Sequence, residues 1–313
     1  LVDCLENRQD LEQLLNVLDG HRRSDGSSPR FTMNMILGNP DFDAIRAADF
    51  EEYVFEDLFD TYRRHYGEEL QPVWEQASAE GLVRLQFHGR EHLNVGLWLN
   101  DLQTGHRDTC LAFDQGYFGL PTQTSSPRQK HYLAAFWPTS REHCEDIKGI
   151  AEDVLDRFEQ LFGFRSRSFI ACNYVYPAAL EATLNAKGVD LIQGQRGQLR
   201  PSSDGSEASI RRGHTGQRNQ IGQYYSVRNV MFEPFEDPSY DWVASAMQEI
   251  EKAFFWGTPA IVSTHRVNFA GSMQIENRDR NLRLLDTLLR QIIRTWPDVE
   301  FATSDELIPL LEG

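Results

Sequence analysis

Short apolar runs that favour β-strands alternate along the chain with longer amphipathic stretches that favour helices. Most strand-like runs are separated by stretches in which apolar side chains recur every three or four positions, as in a helix. Such alternation is typical of parallel β/α architecture. The strand-like runs span residues 31–37, 83–87, 168–172, 189–192, 225–232, 260–263 and 299–302.

This pattern predicts an α/β fold in which seven or eight parallel strands close into a distorted, TIM-like (β/α) barrel. A doubly wound open sheet is the alternative, although no glycine-rich dinucleotide fingerprint follows a strand. We expect residues 1–313 to form one domain, with a first strand at or before Leu1 that is trimmed or missing. Two polar stretches, residues 106–139 and 193–223, are predicted to be long irregular loops over the C-terminal mouth of the barrel.

Composition narrows the classes of partner. The chain has 31 Lys and Arg against 47 Asp and Glu, a net charge of −16, which argues against a nucleic-acid partner. No apolar run approaches the roughly 20 residues that a membrane span requires. The four cysteines show no paired metal-ligand spacing, so we interpret them as reduced thiols. The chain has no signal peptide, which slightly favours the cytoplasm over secretion with a trimmed leader. No feature indicates the oligomeric state.

The strongest candidates for metal-binding residues lie where the run at residues 83–87 ends. His88 follows this run directly, and His92 comes four residues later. Two imidazoles at this spacing can converge on one divalent ion, for which Zn²⁺ is the best candidate. We therefore predict that His88 and His92 are metal ligands. The alternative is a surface turn that happens to contain two histidines.

The segment also matches His-x-x-Glu-His, the motif of inverzincin peptidases. That motif needs a helix to bring both histidines and Glu91 to one face. The preceding apolar run and Gly89 instead favour a strand followed by a turn. A zinc peptidase is therefore the less favoured alternative.

Several segments, taken in order, resemble the polysaccharide deacetylases, the NodB-homology group of metal-dependent carbohydrate esterases. The resemblance implies a hydrolase that removes acetyl groups from an amino-sugar-containing oligosaccharide or polysaccharide. It also implies that His265 protonates the leaving group as general acid. The matching segments are residues 30–36, the His-x-x-x-His motif at 88–92, the arginine-containing segment 167–174, the run 260–266 that includes His265, and the closing segment 301–307.

The chain departs from this family at the first motif, where an Asp-Asp pair supplies the catalytic base and a metal ligand. Asp3 is our candidate for both roles, with Glu91 as the alternative base or ligand. The pair could instead precede Leu1. If the aspartates are truly missing, the alternative function is a catalytically inactive carbohydrate-binding barrel.

Substrate contacts are predicted in three places: the arginine-containing motif, the position after His265, and the locally basic stretch 193–223. Either Arg165 or Arg167 fills the arginine role of the family's third motif. A solvated flexible loop is the alternative interpretation of the basic stretch. The predicted substrate-binding residues are Arg167, Asn173, Tyr174, His214, Arg218 and Arg266.

Overall fold

The computed structural model describes residues 4–23, 25–120 and 132–312. The chain divides into two compact units, which are described separately. The first unit contains Leu1–Met33, Tyr62–Leu85 and Ser226–Gly313, and the second contains Asn34–Thr61 and Gln86–Tyr225. No helix within the described residues combines the length and the apolar character needed to cross a membrane.

The described residues form strands and helices that largely alternate. The strands are β1 (Phe31–Ile36), β2 (Gly38–Pro40), β3 (Phe55–Asp57), β4 (Val83–Gly89), β5 (Ser168–Ile170), β6 (Leu191–Gly194), β7 (Gly197–Pro201), β8 (Ala208–Arg212), β9 (Tyr224–Val227), β10 (Val230–Met231) and β11 (Val262–Ser263). The helices are α1 (Arg8–Asp19), α2 (Phe42–Ala47), α3 (Leu58–Tyr66), α4 (Gln71–Ala79), α5 (Val95–Gln103), α6 (Arg107–Asp114), α7 (Arg141–Phe162), α8 (Leu180–Ala186), α9 (Trp242–Phe255), α10 (Ile275–Thr295) and α11 (Leu307–Glu312).

The central sheet has the strand order β1-β4-β5-β6-β9. β4 pairs in parallel with β5, and β5 with β6, so that Phe169 lies opposite both Phe87 and Ile192. Every residue of β5, β6 and β9 is buried, as expected for parallel strands that are covered on both faces. This architecture confirms the predicted α/β fold with a parallel sheet and is consistent with a distorted (β/α) barrel.

Each unit has its own packed interior. In the first unit, α1 packs against α10, and α10 against α9. The buried Asp10 of α1 accepts a hydrogen bond of 2.8 Å from the buried Arg278 of α10, which fixes the two helices in register. In the second unit, the ring of Trp98 packs against Phe42 at a centroid distance of 6.0 Å. The buried cluster around Trp98 contains Ile45, Leu93, Leu102, Phe113 and Tyr132.

The predicted elements differ from the structure in several places, and three of these concern a predicted strand and the two predicted loops. Residues 299–302 form no strand; near this segment the Ser304 amide donates to the side-chain oxygen of Thr32 at 2.8 Å, in place of a backbone ladder. The stretch 193–223 is not wholly irregular, because it contains the antiparallel hairpin β7–β8. The stretch 106–139 contains α6, and its residues 121–131 lie outside the described part of the chain.

Candidate metal centre

The turn after β4 brings two histidines together. His88 is the penultimate residue of β4, and His92 lies in the loop that precedes α5. The centroids of their rings are 5.2 Å apart. Gly89 has a φ of 140°, which favours glycine and lets the chain turn directly after His88. The prediction of a strand followed by a turn is confirmed, and the two histidines do not share a helix as a zinc-peptidase motif would require.

Cys172 completes a group of three metal-ligating side chains with His88 and His92. Because β4 and β5 are parallel and Phe87 lies opposite Phe169, the segments that follow both strands emerge at the same edge of the sheet. The ligand atoms of the three side chains all lie within 4.8 Å of one another. Cys172 was not predicted as a ligand, because the spacing between the cysteines does not indicate it, whereas its position at the end of the predicted strand 168–172 does.

The donor set of this group fits a transition metal. Imidazole nitrogen and thiolate sulfur suit Zn²⁺, whereas Mg²⁺ and Ca²⁺ prefer oxygen ligands. Zn²⁺ with bonds of about 2.0–2.3 Å holds its ligand atoms about 3.3–3.8 Å apart. The observed separations of up to 4.8 Å therefore need small inward rotations of the side chains. Nδ1 of His88 donates to the carbonyl oxygen of Ile170 at 2.8 Å, which leaves Nε2 with the lone pair that a cation requires.

The charge of the sulfur depends on its surroundings. Burial raises the pKa of the Cys172 thiol well above its ordinary value, and the negative charge of Glu91 raises it further. Sγ lies 3.6 Å from the carbonyl oxygen of His88 and 3.8 Å from that of Glu91, so the thiol can donate to either. A cation at this position would favour the thiolate. Metal binding is therefore expected to release a proton.

The backbone is strained directly after Cys172. Asn173 and Tyr174 have φ values of 52° and 57°, in the left-handed region that few residues other than glycine adopt. Side chains other than those of asparagine and aspartate typically pay about 1–2 kcal/mol in this region, and residues held there are concentrated at functional sites. Both residues were predicted to bind substrate, and both adjoin the candidate ligand Cys172 along the chain. Their role stays a prediction.

Glu91 lies in the same turn, but its carboxylate does not belong to the ligand group found among the described residues. The side chain is buried and pairs with the guanidinium of Arg90 and with the hydroxyl of Tyr53, the latter at 3.3 Å. Burial raises the pKa of Glu91, and the charge of Arg90 opposes this rise. Its catalytic role stays a prediction. Asp3, the other candidate base and ligand, lies outside the described residues.

His265 belongs to the first compact unit and follows β11. Its Nδ1 lies 2.6 Å from a carboxylate oxygen of the buried Glu233, whose other oxygen accepts a hydrogen bond of 2.7 Å from Asn268. A carboxylate partner favours a proton on Nδ1 and leaves Nε2 as an acceptor. The neighbouring Arg266 lies 3.7 Å from the carboxylate of Glu6. The predicted roles of His265 in proton transfer and of Arg266 in substrate binding stay predictions.

The other predicted substrate-binding residues lie on the surface of the second unit. Arg167 pairs with Asp190, with Nη2 at 2.8 Å from the carboxylate. The guanidinium of Arg218 stacks over the ring of Tyr224, 4.3 Å from its centroid. His214 is exposed in the segment that follows β8. The structure therefore gives Arg167 and Arg218 local partners, and substrate binding by these three residues stays a prediction.

No family model matches the chain, and no curated protein matches its sequence. Among solved structures, it is similar to the α-amylase AmyC of Thermotoga maritima, with 11% identity, a TM-score of 0.43, and coverage of 97% of this chain and 61% of the amylase. It is also similar to a 4-α-glucanotransferase of Thermococcus litoralis, with 8% identity and a TM-score of 0.43 over 99% of this chain and 38% of the transferase. A GH57-type branching enzyme of Pyrococcus horikoshii shows 9% identity and a TM-score of 0.37 over 97% of this chain and 56% of that enzyme.

The comparison corrects the predicted class of reaction. The chain spans only 38–61% of the lengths of these structures, and all the TM-scores are below 0.5, so the likeness assigns no family. The three neighbours are carbohydrate-active enzymes, but they are glycoside hydrolases and transferases rather than enzymes of C–N or ester bonds. The prediction of a deacetylase is therefore wrong on this comparison.

Proposed function

We propose that the chain is a metal-dependent enzyme that acts on a saccharide and holds one Zn²⁺ through His88, His92 and Cys172. The observation that carries the proposal is the convergence of their ligand atoms within 4.8 Å. When bound, a Zn²⁺ ion with three protein ligands supplies a Lewis acid with an open coordination position. The resemblance of the ordered motifs to a family of carbohydrate-active enzymes supports a saccharide as the substrate.

The three candidate ligands differ in their exposure to solvent. Cys172 is fully buried, whereas His88 and His92 are partly exposed. A cation held by the three side chains would therefore be anchored from the interior and approached from the imidazole side. Asn173 and Tyr174, which follow the buried ligand, are the residues that we expect a substrate to meet next.

The metal is tested by elemental analysis and by substitution with Co²⁺. We expect close to one Zn²⁺ per chain after purification without chelators. The Co²⁺ form should show a sulfur-to-cobalt charge-transfer absorption in the near ultraviolet that is lost in Cys172→Ser. Cys144 is also buried and offers the matched control, Cys144→Ser, which should keep the band. Absence of divalent metal from the wild-type protein, or a band that does not depend on Cys172, would contradict the proposed centre.

The reaction is tested by product analysis on a panel of oligosaccharides and polysaccharides. We expect products that appear with metal-loaded protein, disappear with a chelator and return when Zn²⁺ is added. Release of reducing ends would identify the cleaved bond as glycosidic. If metal-loaded protein binds saccharides but converts none of them, the inactive carbohydrate-binding barrel is the better description.

A further inference from the structure

The carboxylate of Glu91 is fully engaged within the turn that carries His92. Glu91 is only 5% exposed. One of its oxygens accepts from Nε of Arg90 and from the hydroxyl of Tyr53, and its other oxygen accepts from Nη2 of Arg90 at 3.2 Å. Charge-assisted, two-point contacts between arginine and a carboxylate fix orientation as well as distance. The side chain is therefore held in one direction.

Arg90 is itself held on several sides. Its guanidinium carbon lies 5.0 Å from the ring centroids of both Tyr53 and Phe55, a distance at which cation–π attraction acts. Its carbonyl oxygen accepts hydrogen bonds from the amides of Leu37 at 3.0 Å and Gly38 at 2.7 Å. The turn after β4 is thus tied to two other segments of the second unit, residues 37–38 and 53–55.

This arrangement reaches the metal centre through the backbone. The carbonyl of Glu91 lies 3.8 Å from Sγ of Cys172, and His92 is the next residue along the chain. A change in the direction of Glu91 would therefore move the peptide group that precedes His92 and faces the sulfur. Resting on the metal centre proposed above, we propose that Glu91 is a positioning residue, which through Arg90 and Tyr53 holds the turn in the conformation that His92 needs to bind metal.

This assignment differs from that of a catalytic base. A base must take a proton from a reacting group within hydrogen-bond reach. Here the carboxylate oxygens already accept from three donors, two of them on a guanidinium. The two roles predict different measurements, because loss of a base lowers turnover and leaves the affinity for metal unchanged.

A second buried glutamate provides a matched control. Glu181 accepts hydrogen bonds from the hydroxyls of Tyr176 at 3.0 Å and Tyr225 at 2.7 Å and forms an ion pair with Arg200. It belongs to the same compact unit as Glu91 but to α8, which carries no candidate metal ligand. Glu91→Gln and Glu181→Gln therefore remove the same charge from the same kind of Glu–Arg–Tyr network.

The experiment measures the Zn²⁺ affinity of both variants by competition with a chelator, and amide hydrogen exchange of residues 86–94 in metal-free protein. We expect Glu91→Gln to weaken Zn²⁺ binding by about 10–100-fold, as loss of a partner that orients a metal ligand does, and to accelerate exchange in this segment. Glu181→Gln should change neither by more than about threefold, even where it lowers the melting temperature. Tyr53→Phe removes one donor to Glu91, so it should also weaken Zn²⁺ binding and accelerate exchange, but less than Glu91→Gln does. It replaces Glu91→Gln in the test if that variant does not fold.

The outcomes separate the two proposals. Unchanged exchange and unchanged Zn²⁺ affinity in Glu91→Gln overturn the positioning role, and a loss of turnover alone would assign Glu91 as a base. Equal loss of affinity in Glu181→Gln would overturn it as well, because the effect would then be general destabilisation. If the wild-type protein binds no Zn²⁺, the proposed metal centre fails, whereas the exchange measurement still decides whether Glu91 holds the turn.

Discussion

His88 and His265 each lie at the end of a strand, but different partners hold them. Nδ1 of His88 lies 2.8 Å from the carbonyl oxygen of Ile170, whereas Nδ1 of His265 lies 2.6 Å from the carboxylate of Glu233. Either acceptor fixes the orientation and the tautomer of its ring, and metal-binding histidines use both kinds of partner. The partner of Nδ1 alone therefore does not decide whether a ring holds a cation or transfers a proton.

The side chains around the two rings distinguish them more clearly. His88 has the side chains of His92 and Cys172 within ligand distance. The side chain of His265 is 60% exposed, and within the described ranges it belongs to no group of three metal-ligating side chains. Similar positions at strand ends therefore do not imply similar chemistry, and the difference can be tested in each ring.

The largest effect is expected for His265→Ala. Removal of a general acid or base typically lowers turnover by about 10²–10⁴-fold, so we expect a loss of that size in saccharide conversion with unchanged Zn²⁺ content. Steady-state rates and elemental analysis on the same preparation measure both. His21→Ala, which breaks a hydrogen bond to Asp286 in the same unit, is the control and should keep its turnover. Near-normal turnover in His265→Ala, or loss of metal, would break the comparison.

The second-largest effect is expected for Zn²⁺ affinity in His88→Ala. Loss of one of three ligands should weaken Zn²⁺ binding by more than the roughly 100-fold that loss of an orienting partner can cause. Chelator competition measures the affinity. His265→Ala serves as the matched variant, since it removes an imidazole at the other strand end and should leave the affinity unchanged. Equal Zn²⁺ affinity in the two variants would show that the neighbouring ligand side chains of His88 do not separate the roles of the two rings.

A smaller effect is expected at the strained residue beside the metal centre. Asn173→Ala places an alanine at a φ of 52°, so the free energy of unfolding should fall by about 1 kcal/mol. Asn173→Gly should stay within about 0.5 kcal/mol of the wild type, because glycine adopts this conformation without steric cost. Urea unfolding of the metal-free protein measures both. Equal stability of the two variants would mean that the strain is not intrinsic to this backbone position.

The smallest effect concerns His143, whose Nδ1 accepts from the amide of Thr139 at 3.1 Å. Burial lowers the pKa of His143 below its ordinary value of 6.5, with the charge of Asp146 opposing the shift. Folding therefore favours the neutral ring, and the free energy of unfolding should fall as pH drops through 6.5 towards the folded-state pKa. His143→Gln should reduce this fall when urea unfolding is compared at pH 7.5 and pH 5.5. An unchanged pH dependence would show that His143 does not contribute to it.

The sequence predicted the parts of the fold that depend on local pattern. The apolar runs at residues 83–87 and 168–172 correspond to β4 and β5. Residues 299–302 have the same apolar character but form no strand, because a run becomes a strand only when a neighbour pairs with its backbone. The hairpin β7–β8 was missed because polar and charged side chains interrupt its apolar ones, and most residues of β8 are exposed.

The candidate site was also predictable only in part, because some of its contacts depend on which strands are neighbours in the sheet. His88 and His92 are close in sequence, so their convergence depends on one turn. Cys172 lies 80 residues after His92 and joins them only because β4 and β5 are adjacent and parallel. The partner of His265 is likewise distant, since Glu233 precedes it by 32 residues. Spacing along the chain does not encode contacts that depend on strand order.

The backbone at Gly89 has a consequence for finding related chains in genomes. A Cβ atom there would lie 3.3 Å from the ring of Phe136, and the φ of 140° already disfavours any residue with a side chain. The backbone conformation and the lack of space for a Cβ atom therefore require glycine at position 89. The next two residues, Arg90 and Glu91, can be replaced by any other pair of residues that stabilises the turn. A search pattern of His-Gly-x-x-His after an apolar run, followed by a cysteine just beyond the next parallel strand, would retrieve chains with the same centre even when their remaining sequences have diverged.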